Sequence, residues 1–433
     1  MHWPAMTWNR RYQLKSYLRS ALWFIPLVAL LLEQVFWALV RILDHRFAWK
    51  GLALGVTGAE AVFNAVTTMT LSFIVFTFGS LLVAIQVAGG QYTPRIIATT
   101  LLRDNVIRST VGLFVFTFIF AIKATARTDT TVHQLIAFVT ALLGLICIRA
   151  FLFLIDYAAR MLRPVSLVQR VGEYGLSVIK SVYPEQSNEA QSIAGSQPSL
   201  GPVERTILHH GKSAIVIAVN VEMLVTEADK AKCVIEFAPQ VGAFVESGEP
   251  LFVLHGGADG IDEQKLRASV VLGSERTMEQ DPLFGFRILV DIAIKALSKA
   301  INDPTTAVLA IDQLHRLLRS AGKRNLRTDQ IVDRAGKLRV IFRTPNWEDF
   351  VHVGLSEIRF YGAGNLQIAR RLRAMIVNLT DTLPAQRHFA LCKELELLDR
   401  TIEKLYVLPE DLKLARIPDS QGLGGSSHSE EVS

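Results

Sequence analysis

The segment from about residue 65 to residue 88 is long, apolar and free of charged side chains. Because an α-helix rises about 1.5 Å per residue, roughly 20 such residues cross the hydrocarbon core of a bilayer. The segment also carries small and hydroxylated residues, which let neighbouring helices approach closely and hydrogen-bond. We therefore predict a membrane-spanning helix whose polar face contacts protein or a water-filled path.

Three further apolar segments lie at about 21–40, 109–124 and 133–155. The chain has 433 residues, of which 50% are hydrophobic, but the apolar residues concentrate before about residue 158. This distribution predicts an α-helical membrane domain of four transmembrane helices over 21–158, followed by a soluble cytoplasmic region of α+β type.

Basic residues indicate the orientation of these spans. Residues 1–20 combine Lys and Arg with Trp and Tyr, which predicts a basic interfacial segment. Together with the loop at 95–108 and the segment after the fourth span, it carries more Lys and Arg than the two opposite loops. We therefore predict a multi-pass protein of the bacterial inner membrane with both termini in the cytoplasm. The modest net charge of +6 indicates the lipid bilayer, and not nucleic acid, as its partner.

Polar side chains inside the spans are the first candidates for function. Glu33 lies in the middle of the first span, where a charge is costly and usually faces a bundle interior or an aqueous cavity. Its functional interpretation is ion or proton traffic, and its structural alternative is an interhelical hydrogen bond. The candidate pore-lining or bundle-polar residues are Glu33, Thr67, Thr70, Thr77 and Gln86.

The soluble region changes character along the chain. Residues 159–202 predict a connecting helix and a flexible linker, and residues 203–260 alternate in the manner of strands, which predicts a small barrel-like β domain. Residues 261–405 predict a helical cytoplasmic domain, arranged as a bundle. The Gly- and Ser-rich acidic residues at 406–433 predict a disordered tail.

Two Asp-Pro pairs mark helix starts in the helical domain. An Asp at the N-cap accepts a free N–H, and Pro at the first helical position loses no hydrogen bond. Asp281-Pro282 and Asp303-Pro304 therefore predict helices at about 282–299 and 304–320. Arg287, Asp291 and Lys295 follow at intervals of four residues, which predicts a charge ladder on one helix face.

The same region offers a weak basis for an enzyme. An enzyme would use Asp291, Asp303, Asp312 and His315. Of these, Asp312 and His315 lie three residues apart on one helix and could form an acid–base or metal pair. Alternatively, Asp303 caps a helix, and Asp312 and His315 lie on a solvated face. We favour this second interpretation. No P-loop, GxSxG, HExxH or dinucleotide motif is present. We therefore predict no catalytic residue, metal or cofactor.

Two motifs identify a resemblance. The run from Gln280 to Leu314, centred on Ala300-Ile301-Asn302-Asp303-Pro304, and the Gln91–Arg95 segment resemble a family of bacterial predicted membrane proteins, domain-of-unknown-function family 2254. The resemblance implies four N-terminal spans and a soluble C-terminal region, and it brings no activity or catalytic residue. The pattern Gly242, Val245, Gly248 and Leu251 separately resembles the hammerhead or lipoyl-like barrel fold, without a suitable lysine for a carrier function.

Two functions are consistent with these features. The first is a homo-oligomeric channel or transport-related protein in which the second span lines the axis. The alternative is a membrane-anchored scaffold or sensor that binds a protein partner through its cytoplasmic domain.

Overall fold

The computed structural model describes residues 7–21, 23–47, 51, 53–91, 104–128, 132–161, 163–186, 200–326 and 329–425. Residues 187–199 of the predicted linker, the Tyr92–Arg95 part of the Gln91–Arg95 motif and the last eight residues lie outside them. The described chain forms two compact units. The N-terminal unit lies within residues 16–167, and the C-terminal unit holds the chain from residue 168 onward together with the start of the first helix.

The N-terminal unit confirms four helices that are long and apolar enough to cross a membrane. After a short first helix, α1 (Trp8–Ser20), these are α2 (Phe24–Phe47), α3 (Val56–Gln91), α4 (Asn105–Thr125) and α5 (Gln134–Met161).

Close packing in this unit depends on two glycines. A Cβ atom at Gly112 of α4 would lie 3.0 Å from Ile25 of α2, and one at Gly144 of α5 would lie 2.8 Å from Val66 of α3. The absence of side chains at these points therefore allows the helices to approach closely. The core beside these contacts is formed by buried residues of all four helices: Trp37, Val40, Ala59, Phe63, Phe120, Ala124, Ile136 and Ala137.

The third span begins four residues earlier than predicted. Asp104 caps α4, because its Oδ1 accepts the N–H groups of Val106 (2.9 Å) and Ile107 (3.2 Å). Arg108, assigned to a loop by its charge, is buried and donates to the carbonyl oxygens of Arg19 (2.7 Å) and Leu18 (2.8 Å). A charged side chain that finds backbone acceptors can therefore lie within the span.

The C-terminal unit begins with α6 and contains two open β-sheets. The chain enters it through α6 (Pro164–Val182). A five-stranded sheet has the order β1-β5-β3-β8-β7, with β3 and β8 parallel, and a three-stranded sheet has the order β4-β2-β6. The strands are β1 (Val203–Leu208), β2 (Ala214–Val219), β3 (Val234–Phe237), β4 (Phe244–Val245), β5 (Pro250–His255), β6 (Val270–Gly273), β7 (Gln330–Val332) and β8 (Leu338–Phe342).

The prediction of a barrel-like β domain confined to 203–260 is wrong in two respects. Neither sheet closes on itself, and β6, β7 and β8 come from the range that was predicted to be helical. The strand β8 joins the sheet by pairing Val340 with Ile235, more than 100 residues away. The two sheets share one apolar core with the helices α7 (Val221–Ala231) and α8 (Glu263–Ala268).

The remaining helices lie on both sides of β7 and β8 in the chain. They are α9 (Pro282–Ala296), α10 (Pro304–Gly322), α11 (Trp347–Val351), α12 (Glu357–Gly362), α13 (Leu366–Thr382), α14 (His388–Leu405) and α15 (Pro409–Ala415). A π-helical turn at His352–Ser356 joins α11 to α12.

The prediction of a disordered tail from residue 406 is wrong up to residue 425. The helix α15 lies in this range, and the segment 416–425, named here the C-terminal strap, is held by Arg370 of α13. The guanidinium of Arg370 donates to the carbonyl oxygens of Ile417 (3.0 Å), Gly424 (3.1 Å) and Gly425 (2.7 Å). A polar, Gly-rich sequence is therefore ordered by a buried donor.

Candidate functional site

The predicted pore residues of α3 are divided between two faces. Thr70 and Thr77 are buried in the N-terminal unit, and their hydroxyls donate to the carbonyl oxygens of Val66 (2.7 Å) and Phe73 (2.7 Å). Thr67 is partly buried, and its hydroxyl has no hydrogen-bond partner among the described residues. Thr70 and Thr77 therefore face the subunit's own bundle. The buried face of α3 comprises Ala59, Phe63, Val66, Thr70, Thr77, Leu81 and Ala84.

A second polar face lies on the opposite side of α3. At 100° per residue, a set of exposed residues clusters directly opposite the buried face. We name this set the exposed stripe; it comprises Thr57, Ala61, Asn64, Thr68, Ser72, Val75, Gly79, Leu82 and Gln86. Of the five candidates in the spans, only Gln86 belongs to it.

The composition of the exposed stripe is unusual for a lipid-facing surface. Asn64, Thr68, Ser72 and Gln86 carry amide or hydroxyl groups, and Gly79 has open space where a Cβ would be. Part of this polarity is satisfied locally, because Ser72 donates to the carbonyl oxygen of Thr68 (2.8 Å). Side-chain amides in hydrocarbon are not satisfied within their own helix in this way, and they usually hydrogen-bond to another helix or to water.

Glu33 forms a buried ion pair within the bundle. Its side chain is 0% exposed, and its Oε2 accepts from Nζ of Lys123 on α4 at 2.7 Å. Lys123 also donates to Oε1 of Gln34 (2.7 Å), and its side chain is 27% exposed. The other Glu33 oxygen, Oε1, has no hydrogen-bond partner among the described residues. The sequence analysis identified Glu33 as a candidate but did not identify Lys123 as its partner.

Two cations lie over the Trp37 ring beside this pair. The Lys123 ammonium is 5.9 Å from the ring centroid, and the Arg127 guanidinium is 5.7 Å from it. A negative aromatic face stabilises such charges. Glu33 and Lys123 therefore belong to a compact group of charges, and their ion pair links α2 to α4.

In the C-terminal unit, the contacts of Asp281 stabilise the fold. It caps α9 by accepting the N–H of Phe284 (3.1 Å), and it forms an ion pair with Arg276. Burial raises the pKa of Asp281 above its ordinary value, while the hydrogen bond from Arg276 opposes that change. Gly242 has a φ of +83°, and a Cβ there would overlap both charged side chains. This glycine is therefore required for the joint between the small sheet and α9.

Asn302 and Asp303 form the turn between α9 and α10. Asn302 has a left-handed φ of +48°, a conformation that Asn tolerates better than most residues. The N–H of Asp303 donates to the carbonyl oxygen of Ala296 (2.7 Å), and its carboxylate accepts the N–H of Thr306 (3.1 Å). Pro304 is the first residue of α10. The central motif therefore has the geometry of a helix-capping turn.

The charged residues of α9 link it to α12. Nε of Arg287 donates to Oδ1 of Asp291 at 2.6 Å, and the same guanidinium pairs with Glu357. The hydrogen bond from Arg287 lowers the pKa of Glu357. The pairing of Arg287 with Asp291 follows the predicted spacing, and it fixes helix packing instead of presenting a free carboxylate.

Asp312 and His315 also form hydrogen bonds with neighbouring side chains. Nε of Arg371 donates to Oδ1 of Asp312 (2.8 Å), and Nε2 of His315 hydrogen-bonds to Oδ1 of Asn378 (2.9 Å). Burial lowers the pKa of His315. The residues that the structure describes contain no group of three or more His, Cys, Asp and Glu arranged to hold a metal ion. The C-terminal candidates therefore form capping and packing contacts, whereas the distinctive surface is the exposed stripe.

Comparisons with known proteins agree with the membrane character of the chain. The family model "Predicted membrane protein (DUF2254)" matches residues 19–378. An uncharacterized protein of Mycobacterium tuberculosis strain H37Rv is 24% identical over 98% of this chain and 83% of its own length. An uncharacterized protein of Mycobacterium bovis is similar to the same extent, 24% over 98% and 83%. No solved structure matches the chain. With most of its length matched by the family model, the chain belongs to the DUF2254 family of predicted membrane proteins.

Proposed function

We propose that this membrane protein is a homo-oligomer of the bacterial inner membrane. In this assembly the exposed stripe of α3 from each copy faces a common axis and lines a conduction path. The observation that carries the proposal is the exposed stripe, a polar face directly opposite the face that α3 packs in its own subunit. This revises the expectation from sequence, because the axial face is that of Ser72 and Gln86 and not that of Thr70 and Thr77.

Polar side chains in a membrane span are stable only where they find a hydrogen-bond partner. Hydrocarbon offers Asn64 and Gln86 no hydrogen-bond partner, whereas another copy of α3 or a water-filled path offers many. Small residues such as Ala61 and Gly79 remove the bulk that would keep two helices apart. The stripe contains no charged residue, so a path along it is lined by neutral dipoles.

A thiol cross-linking experiment tests the shared axis. In a Cys392→Ser background, the remaining Cys147 and Cys233 are buried, so an added cysteine is the reactive one. Ser72→Cys should form an intersubunit disulfide in the membrane, whereas Leu145→Cys, on an exposed part of α5, should not. A monomer by single-particle imaging together with no Ser72→Cys cross-link would contradict the proposal.

Flux through the assembly tests conduction separately from assembly. Replacing Asn64 and Ser72 by Leu should lower ion or solute flux into proteoliposomes, because it removes polar groups from the path. Thr70→Val is the matched control, since that hydroxyl is buried on the opposite face of α3, in the subunit's own bundle. Unchanged flux in the stripe variants, with the oligomer intact, would leave the assembly and exclude the path.

A scaffold function has one specific observation in its favour. The hydroxyl of Tyr406 donates to the carbonyl oxygen of Ala363 (3.1 Å), which brings the ends of α12 and α14 together. Around this contact, the apolar side chains are exposed: Phe360, Tyr361, Leu405, Val407 and Leu408. Exposed apolar patches often mark protein interfaces. If this patch binds a partner, Phe360→Ser with Val407→Ser should abolish co-purification of that partner and leave flux unchanged.

A further inference from the structure

One face of the short helix α1 is occupied by contacts within the C-terminal unit. The hydroxyl of Tyr12 donates to the carboxylate of Glu279, and Nε2 of Gln13 donates to the carbonyl oxygen of Leu272 on β6 (3.2 Å). Tyr12 is half-buried, and its ring centroid lies 5.3 Å from that of Trp8. These contacts determine which side of α1 remains exposed.

The opposite face of α1 is exposed and positively charged. At 100° per residue, four exposed residues lie on the side of the helix directly away from the half-buried Tyr12 and Ser16. We name this set the basic face; it comprises Arg10, Arg11, Leu14 and Tyr17. Lys15 is also exposed and lies at its edge. Arg10, Arg11 and Lys15 form no ion pair with another described residue, so their charges are available to a partner.

The basic face lies directly before the first apolar span. The helix α1 ends at Ser20, and α2 begins at Phe24. At this junction the side chains of Tyr17 and Trp23 are both exposed, and their ring centroids are 6.5 Å apart. Because Tyr and Trp concentrate at the headgroup level of membrane proteins, we place that level at this junction. The cations of the basic face then lie within roughly 15 Å of the lipid headgroups, measured along the helix.

The charge and the position of the basic face select the same partner. Basic residues beside a span are attracted to anionic lipids over about one screening length, and guanidinium groups bind phosphate oxygens in a bidentate manner. Leu14 and Tyr17 provide the apolar and aromatic side chains that enter the boundary between headgroups and acyl chains. We propose that the basic face binds the headgroups of anionic phospholipids beside the start of α2. The proposal rests on α2 being a membrane span and does not depend on the conduction path.

Fluorescence quenching in the full-length protein tests the site. In a Cys392→Ser background, Cys147 and Cys233 are buried, so a fluorophore attaches at Leu14→Cys. The protein is reconstituted in phosphatidylcholine vesicles that contain an equal fraction of either phosphatidylglycerol or phosphatidylcholine with a nitroxide near the top of its acyl chain. Labelled phosphatidylglycerol should quench this fluorophore several-fold more than labelled phosphatidylcholine.

The matched control probe is Leu145→Cys, at an exposed position of α5, which should be quenched equally by the two lipids. Equal quenching of the Leu14→Cys probe would overturn the proposal, because the basic face would then be a topogenic flank only. The absence of quenching by either lipid would also overturn it, and would assign the basic face to an acidic soluble partner.

The role of the charges has its own measurements. Arg10→Gln with Arg11→Gln should reduce the preference for phosphatidylglycerol several-fold, whereas Arg334→Gln with Arg343→Gln, which removes two exposed arginines of the C-terminal unit, should not.

Raising the salt concentration tests the same charges without substituting them. An increase from about 0.1 M to 1 M shortens the screening length from about 10 Å to 3 Å and should remove the preference. A preference that survives both the Arg10 and Arg11 substitutions and high salt would overturn the proposal. Inorganic phosphate should act only through ionic strength, and a greater loss of preference than in sodium chloride of equal ionic strength would assign the basic face to free phosphate.

Discussion

At the scale of single residues, the buried Glu33–Lys123 pair predicts a loss of stability when either partner is removed. Removing one partner of a buried ion pair leaves an uncompensated charge, which costs about 3–5 kcal/mol, whereas replacing both partners is often nearly neutral. Lys123→Met should therefore destabilise the protein by about 3 kcal/mol, toward the lower end because Lys123 is 27% exposed. The double variant Glu33→Gln/Lys123→Met should recover most of that loss in denaturant unfolding in detergent.

The matched control for this pair is Lys180→Met, which removes a lysine from an exposed position of α6. It should change the free energy of unfolding little, as most surface substitutions do. If the losses of unfolding free energy in Glu33→Gln and Lys123→Met simply add in the double variant, the two side chains do not interact and no ion pair links α2 to α4.

Asn302 has a different constraint, set by its backbone. Its φ of +48° costs roughly 1–2 kcal/mol for residues that lack the tolerance of Gly or Asn. Asn302→Gly should leave the thermal midpoint nearly unchanged, while Asn302→Val should lower the free energy of unfolding by about 1–2 kcal/mol or more. Ile301→Val, at the adjacent position, controls for the side chain. An equal effect of Gly and Val would show that the backbone conformation is not the cause.

His315 predicts a pH dependence of stability. Burial and the charge of Arg371 lower its pKa in the folded protein below the ordinary value of 6.5, while Asn378 and Asp312 oppose that change. The unfolded chain therefore binds a proton more readily, so stability falls as the pH drops below about 6.5, down to the folded pKa. His315→Gln should show a smaller fall in thermal midpoint between pH 7.5 and 5.5, and an identical fall would refute this role.

At the scale of elements, local signals predicted what local physics determines. The starts of α9 and α10 were predicted to the residue, because an Asp cap followed by Pro acts within a single turn. The four apolar helices were predicted for a similar reason, since length and composition alone identify a span. The start of α4 was missed because Arg108 is satisfied by backbone carbonyls from elsewhere in the chain.

Elements stabilised by distant partners were not predictable in this way. The strand β8 is five residues long and depends on parallel pairing with β3, which no local periodicity reveals. The exposed stripe left a recoverable signal, because its polar residues recur at helical spacing. Its distinction from the buried face required knowing which side of α3 packs. The C-terminal strap depends on Arg370. The composition of the sequence cannot predict that this arginine is buried.

The C-terminal strap predicts a local change in exchange. Arg370 is 1% exposed and donates to three strap carbonyls, and hydrogen bonds to charged groups contribute about 1.5–3 kcal/mol each. Arg370→Lys keeps the charge but cannot reproduce the planar fork. Amide hydrogen exchange at 416–425 should accelerate by at least about tenfold, because 1.4 kcal/mol corresponds to a factor of ten.

The control for the strap is Arg400→Lys, which alters an exposed pair with Glu396 on α14. It should leave exchange at 416–425 unchanged, because that pair lies outside the strap contacts. Unaltered exchange in Arg370→Lys would mean that other contacts, such as those of Asp419 with the N–H groups of Gly422 and Gly424, hold the strap alone.

At the scale of the whole molecule, the distribution of charge relative to the spans predicts how the chain is oriented. The regions placed on the cytoplasmic side hold an excess of Lys and Arg, and the loop after α2 is placed on the opposite side. An even number of spans then puts both termini on the same side.

The native cysteines make this orientation measurable without altering the soluble region. Cys392 is exposed, while Cys147 and Cys233 are buried, so a membrane-impermeant maleimide should react with Cys392 first. In intact spheroplasts Cys392 should stay unlabelled, and permeabilisation should expose it, because it follows the fourth span. Gly55→Cys in a Cys392→Ser background is the matched control; it lies in the opposite loop, where a Cβ meets open space, and should react in intact spheroplasts. The reverse pattern would mean that the charge excess marks the outer side of the membrane.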